Sequence, residues 1–310
     1  MKILITGGAG YIGSILSETL INSLPNFKIT IVDNFSYNQN PLSNICYIGR
    51  ISIINSDYRD FINYKKNLDE ADIIIPLAGY VGAPICKKKK YDSESVNLEN
   101  QIKLFEKISD QQIVLMPTTN SAYGTNDDNI CDENSKLKPI SEYARQKVIL
   151  EEKLFLLKNF VSLRLATVFG LSPRMRLDLL VNDFVFRAKF DGFIVLYEKN
   201  FKRNYIHVRD VAQAFLLCIK NLDKTRGQIY NVGLSNANLS KIELCNKIKN
   251  HINFNIIINE TQKDPDQRNY IVSNKKIENL GFSPKFSIDD GIKELLIGYE
   301  GFKFREFSNI

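Results

Sequence analysis

The stretch Met1-Lys-Ile-Leu-Ile-Thr-Gly-Gly-Ala-Gly-Tyr-Ile-Gly13 decides the fold. Ile3-Leu4-Ile5 is a short apolar run of the kind a buried parallel strand requires. Gly7, Gly10 and Gly13 follow at once, and Ile15, Leu16 and Leu20 then take up helical spacing. A strand turning sharply into a helix through glycines lets a pyrophosphate approach the backbone, where the helix N-terminus favours an anion. A glycine triplet alone is weak; its context specifies a dinucleotide site. Here that context includes Asp33, which ends a second strand-like run, Lys28-Ile-Thr-Ile-Val-Asp33, twenty residues after Gly13. A carboxylate there accepts hydrogen bonds from an adenosine ribose and repels a 2′-phosphate, so NAD is favoured over NADP.

Further along, Ile51–Ile54, Asp72–Pro76, Gln112–Met116 and Val161–Leu165 read as a third to a sixth strand. Helical patterns over Val96–Ile108 and Glu142–Lys158 separate the later ones. Such alternation predicts an α/β fold, a doubly wound parallel sheet whose ligands bind beyond the carboxyl ends of its strands. After Gly170 the pattern changes. A basic loop, Ser172-Pro-Arg-Met-Arg-Leu-Asp178, leads into a helix over Leu179–Lys189. Strands are expected at Tyr205–Val208 and Gln228–Val232 around a helix over Asp210–Asn221, then helices over Lys241–Lys249 and Ile288–Leu296. The expected organisation is a nucleotide-binding domain over 1–172, completed by 203–232, and a smaller α/β substrate domain over 173–310.

The 310 residues are 44% hydrophobic and 25% charged, ordinary values for a globular chain with ample core. A net charge of +6 suits a polyanionic small molecule better than nucleic acid, which needs a concentrated basic face. The densest basic run, Lys87–Lys90, reads as a solvated segment. No signal peptide or membrane-spanning run is visible, and five scattered cysteines read as reduced thiols of a cytoplasmic protein. Two histidines with no partners nearby predict no metal site.

Tyr143-Ala-Arg-Gln-Lys147 puts a phenol and an ammonium four residues apart, on one helical face. A neighbouring cation favours the phenolate, so Tyr143 is a candidate general base for a substrate hydroxyl. Just before it, Met116-Pro-Thr-Thr-Asn-Ser-Ala-Tyr-Gly124 ends the fifth strand with hydroxyls able to hold a substrate oxygen, or to cap their own backbone.

With these motifs assembled, the chain resembles the extended short-chain dehydrogenases/reductases of the nucleotide-sugar epimerase and dehydratase superfamily over essentially its full length. The resemblance implies cofactor contacts from Gly7, Gly10, Tyr11, Ile12, Gly13, Asp33, Asn34, Asp57, Tyr58, Leu77, Ala78, Gly79, Asn97, Tyr143, Lys147 and Ala166. Asp57 is implied to touch the adenine. Lys147 is implied to hold the nicotinamide ribose and lower the pKa of Tyr143, while Thr119 takes the family's Ser/Thr place. Asn182 and Arg203 are implied to face a sugar nucleotide's diphosphate, with Arg174, Arg176, Lys263 and Arg268 as further candidates. Asn120 and Ser121 stand where sugar 4,6-dehydratases carry an Asp-Glu pair, and Thr167 where a substrate-contacting Asn is usual. Neither Asn120 nor Ser121 is a general acid at neutral pH. Dehydration is therefore not expected, and both are counted as substrate contacts.

More narrowly, Pro76–Pro84, Pro117–Ser121 and Ser172–Asp183 resemble a subgroup that includes GDP-heptose 4-dehydrogenases. That implies oxidation of a sugar C4 hydroxyl, a GDP-sugar substrate, NAD(H) kept bound and a 2-oxo acid as hydride acceptor. A 4-epimerase uses the same residues and stays open. A non-catalytic NAD-binding sensor would not need Tyr143, Lys147 and Thr119 together. Finally, Val148, Ile149, Leu150, Leu154, Phe155, Leu156 and Leu157 exceed one buried stripe. In the resembling family this helix and the one over Val96–Ile108 pair across a dimer, so a homodimer is expected.

Overall fold

A computed structural model of the chain describes residues 1–37, 39–260 and 268–301, and for 127–129 the backbone only. Its strands are β1 (Lys2–Thr6), β2 (Lys28–Asp33), β3 (Ile51–Asn55), β4 (Ile73–Pro76), β5 (Ile113–Thr119), β6 (Thr125–Cys131) and β7 (Phe160–Leu165). They continue with β8 (Thr167–Phe169), β9 (Phe193–Leu196), β10 (Lys202–His207), β11 (Gln228–Val232), β12 (Asn238–Ser240), β13 (Asn255–Ile258) and β14 (Asn269–Val272). Seven of them form one sheet in the order β11-β7-β5-β4-β1-β2-β3, with every neighbouring pair parallel. This is the doubly wound α/β sheet that the alternation predicts.

Alternation along each strand divides the core into two layers. Ile3, Ile5, Ile29, Ile31, Ile73 and Ile75 pack on one side, while Leu4, Val32, Ile74, Val114 and Met116 pack on the other. Because both faces are covered, the central strands β1 and β4 read as unbroken apolar runs, Ile3-Leu4-Ile5 and Ile73-Ile74-Ile75. Each fully buried isoleucine contributes about 1.5–3 kcal/mol relative to exposure. Only the edge strand β3 is half open, with Ile53 exposed. Strand order reverses between β1 and β4, which places the ligand crevice beyond their carboxyl ends.

The C-terminal part departs more from expectation. β11 completes the main sheet, but β10 joins β8 and β12 in a separate three-stranded sheet. β13 pairs with β9 and β14 with β6, partnerships between distant segments that no local pattern announces. The helix expected over Val96–Ile108 is instead a π-helical turn, Ser95–Glu99, running into a short α-helix, Asn100–Phe105. There Asn97 and Gln101 bond the loop after β4: Asn97 reaches both backbone groups of Tyr80, and Gln101 donates to the Ala78 carbonyl. The helix expected to run to Lys158 ends at Leu154. The Lys87–Lys90 run is exposed, as expected of a solvated segment. No helix among the described residues is long and apolar enough to cross a membrane, and no metal-ligating cluster converges among them.

Candidate active site

The turn after β1 is built for close approach. Gly7 sits at φ +71°, and a Cβ there would lie 2.5 Å from the Ala78 nitrogen. A Cβ on Gly13 would lie 2.5 Å from the Gly7 carbonyl oxygen. Gly10 caps the Tyr11–Ser23 helix without a side-chain hydrogen bond, so the first-turn N–H groups stay available to an anion. At the end of β2, the Asp33 carboxylate accepts from the Ala9 N–H (2.9 Å) and from the Phe35 N–H (2.8 Å). Phe35 itself is held at φ +48°, a conformation bulky residues rarely adopt. These residues fit a dinucleotide diphosphate and ribose.

The crevice beyond them has two halves. In the first, Asp33, Asn34, Asp57, Tyr58 and Ala78 come together with Tyr37 and Arg59. Arg59 bonds both Asp57 carboxylate oxygens, at 2.9 and 2.7 Å, and holds that carboxyl below its usual range. In the second half, Tyr11, Ile12, Gly13, Thr119, Ser121, Tyr143, Lys147, Ala166 and Thr167 share a wall with Arg176 and Arg268.

Four expected contacts lie outside this lining, each for a visible reason. Asn97 uses its amide on Tyr80 and on Gln146 (3.0 Å). Asn182 accepts from the Gly170 N–H (3.0 Å) and donates to the Arg176 carbonyl (2.9 Å), so it braces the basic loop rather than facing a substrate. Arg203, buried on β10, donates to the Arg268 carbonyl and so anchors a residue that does line the crevice. Asn120 is fully buried beside Thr119, and only its neighbour Ser121 reaches the cavity. Lys263 falls outside the described residues. Conversely, Tyr37 and Tyr270 line the crevice but were not singled out from the sequence. Tyr37 follows Asp33 closely on the loop after β2, a position that could have flagged it; Tyr270 is brought in by the β14–β6 pairing.

The Glu142–Leu154 helix, capped by Ser141 accepting from the Ala144 N–H, aims Tyr143 and Lys147 at the end of β5. Lys147 Nζ donates to the Pro117 carbonyl (3.2 Å). Thr119 Oγ1 donates to Ser121 Oγ (2.9 Å) and accepts from the Ser121 N–H, so the hydroxyl pair caps its own turn while lining the cavity. Among the described residues the Tyr143 hydroxyl has no hydrogen-bond partner, which leaves it open to a ligand. Burial raises the Tyr143 pKa, and the neighbouring Cys86 raises it further. The cations opposing this are Arg176 and Arg268. Lys147, expected to lower that pKa, is not among them in the protein alone.

One turn further along the same helical face, Glu151 anchors the helix to the sheet. It accepts from Thr118 (3.0 Å) and Ser162 (2.6 Å) and pairs with Arg164 at 2.5 Å. Both partners are almost completely buried. Arg164 in turn donates to the Tyr123 hydroxyl and the Glu133 carbonyl.

Burial brings Lys147 from an ordinary 10.5 down to about 8. Between those values the folded chain binds fewer protons than the unfolded chain. This group is therefore unfavourable below about pH 8, and its contribution improves as pH rises toward about 10.5. The buried tyrosines act in the opposite sense above about pH 10. Urea titrations from about pH 8 to 9.5 should thus show the parent chain gaining stability relative to Lys147→Met. Parallel curves for the two proteins would mean the ammonium is not destabilised by burial.

Comparison with known proteins agrees with this fold. Residues 3–233 match the model of the NAD dependent epimerase/dehydratase family. The chain belongs to that family. Its cofactor is NAD, and the geometry of the glycine cradle and of Asp33 fits such a group. A putative UDP-glucose 4-epimerase of Methanocaldococcus jannaschii is 26% identical, over 95% of this chain and 97% of its own. Human dTDP-D-glucose 4,6-dehydratase is 23% identical, over 100% and 92%. Among solved structures, the Thermus thermophilus UDP-glucose 4-epimerase complex with NAD superposes with a TM-score of 0.83 at 22% identity, covering 97% of this chain and 100% of that one.

Proposed function

We propose that this protein is an NAD-dependent nucleotide-sugar oxidoreductase that oxidises the sugar C4 hydroxyl. The observation that carries the reading is the convergence of Tyr143, Lys147 and Thr119 on one cavity wall with the glycine turn. Bound NAD supplies the hydride acceptor. Tyr143 takes the hydroxyl proton as the C4–H bond breaks, and the Thr119–Ser121 hydroxyl pair orients the reacting oxygen. Lys147, held on the Pro117 carbonyl, places a positive charge beside the forming phenolate. Arg268 and Arg176 line the same half and favour an anionic part of the substrate such as a diphosphate, which stays attached to the sugar. Dehydration is disfavoured because Ser121 carries no carboxyl and Asn120 is buried away from the cavity.

The resemblance over 76–84, 117–121 and 172–183 extends the proposal to a GDP-heptose-type sugar and a 2-oxo acid that closes the cycle. A second reading, a 4-epimerase, is favoured by the epimerase relatives and needs only that the keto sugar turn over before reduction. Mass spectrometry of GDP-heptose and GDP-mannose after incubation with protein, NAD and 2-oxoglutarate separates the two. A product lighter by two hydrogens, with 2-hydroxyglutarate formed, is the expected result. Unchanged mass with a new sugar isomer by NMR would make this an epimerase. NAD binding with neither outcome for any sugar nucleotide would point to a sensor.

We further propose a homodimer through the Glu142–Leu154 helix and the residues just after it, where Ile149, Phe155 and Leu156 stand exposed on the single chain. Light scattering at micromolar concentration should give twice the 35.5 kDa chain mass. A monomer mass would remove the proposal.

A further inference from the structure

The two halves of the crevice meet at a seam. Gly7, Gly10, Tyr37, Leu77, Gly79 and Arg174 line both halves. Five of them stand at the carboxyl ends of β1, β2 and β4, but Arg174 arrives from the loop after β8. Asp33 stands on one side of the seam, and Tyr143 with Thr119 on the other. A dinucleotide that spans both halves places its diphosphate here, beside the helix N-terminus that favours an anion.

Arg174 is held firmly in this position. It is 3% exposed, and its guanidinium carbon lies 3.7 Å from the centre of the Tyr37 ring. Nη1 donates to the Met175 carbonyl (3.0 Å). A guanidinium on an aromatic face keeps its plane fixed. Arg174 and Asp33 are close enough to affect each other's ionisation, which ties the arginine to the ribose end of the cofactor site. Arg176 is differently engaged: it bonds both Asp178 carboxylate oxygens and the Val81 carbonyl. Two arginines that look equivalent in the sequence therefore face different tasks.

We infer that Arg174 is a ligand of the cofactor's diphosphate, held at the seam by its stack on Tyr37. The planar fork of a guanidinium matches the paired oxygens of a diphosphate. The sequence alone assigned this arginine to the sugar nucleotide; its place beside Gly10 and Asp33 moves it to NAD. A loop from the C-terminal part of the chain thus takes a direct share in holding the cofactor. The inference rests on the cofactor and on no choice of sugar, so it can fail while the proposed reaction stands, and the reverse.

The test titrates ADP-ribose and adenosine calorimetrically, with no sugar nucleotide present, into the parent chain and Arg174→Gln. ADP-ribose should bind about tenfold more weakly or worse to the variant, while adenosine changes by less than about twofold. Arg174→Lys, which keeps charge but loses the fork, should fall between. Tyr37→Ala should lose part of the ADP-ribose affinity and Tyr37→Phe should keep it. Unchanged ADP-ribose binding with weakened GDP binding would overturn the inference and return Arg174 to the substrate. Equal loss of adenosine and ADP-ribose would overturn it too, because the arginine would then be shaping the site rather than binding phosphate.

Discussion

Tyr143→Phe lowers turnover of the sugar nucleotide by about 10²–10⁴-fold and leaves NAD affinity within about twofold. The substitution removes one oxygen that has no hydrogen-bond partner among the described residues, so packing is preserved and only the proton acceptor is lost. Stopped-flow formation of the reduced cofactor in a single turnover reads the chemical step directly. Near-native formation in Tyr143→Phe would show that some other group takes the proton, and the proposed role of Tyr143 would be wrong. The pH dependence should move in a definite direction. Because burial raises the phenol's pKa in the protein alone, the single-turnover rate should climb with rising pH as Tyr143 gives up its proton. Arg176→Gln removes one of the two opposing cations and should shift that rise to higher pH.

The second large effect is on stability. Glu151→Gln keeps the shape of the side chain but leaves the Arg164 guanidinium buried with a neutral partner, which costs about 3–5 kcal/mol. Glu151→Leu combined with Arg164→Met removes both charges and should lose far less. Urea unfolding of the three proteins supplies the comparison. A loss below about 1 kcal/mol for Glu151→Gln would place the pair with exposed ion pairs and contradict its burial. Since Thr118 donates to the same carboxylate and Thr119 is its neighbour, Glu151→Gln should also disturb the wall that carries the reacting hydroxyl.

The two substitutions probe parts of the molecule that differ in how openly the sequence declares them. Tyr143 and Lys147 share a helical face by spacing alone. Glu151 lies on that face too, yet its partner Arg164 sits on β7, and nothing in the intervening residues says that they meet. The same division runs through the arginines. A basic loop at Ser172–Asp178 was visible, but whether Arg174 or Arg176 meets a ligand depends on Tyr37, Asp178 and Val81. Asn182 and Arg203 hold motif positions that a family likeness marks as substrate contacts, and here both are buried as braces.

By itself the sequence determined the parallel sheet, the glycine turn, the acidic end of β2 and the Tyr143–Lys147 pair. Each is a local consequence: strand alternation, a φ that only glycine adopts comfortably, a carboxylate one βα unit away, or two residues one helical turn apart. Tertiary structure alone decided the end of the helix at Leu154, the β14–β6 and β13–β9 partnerships, and which cations reach Tyr143. Those outcomes are set by how whole layers pack, because burial and charge at a point sum contributions from segments far apart in the chain.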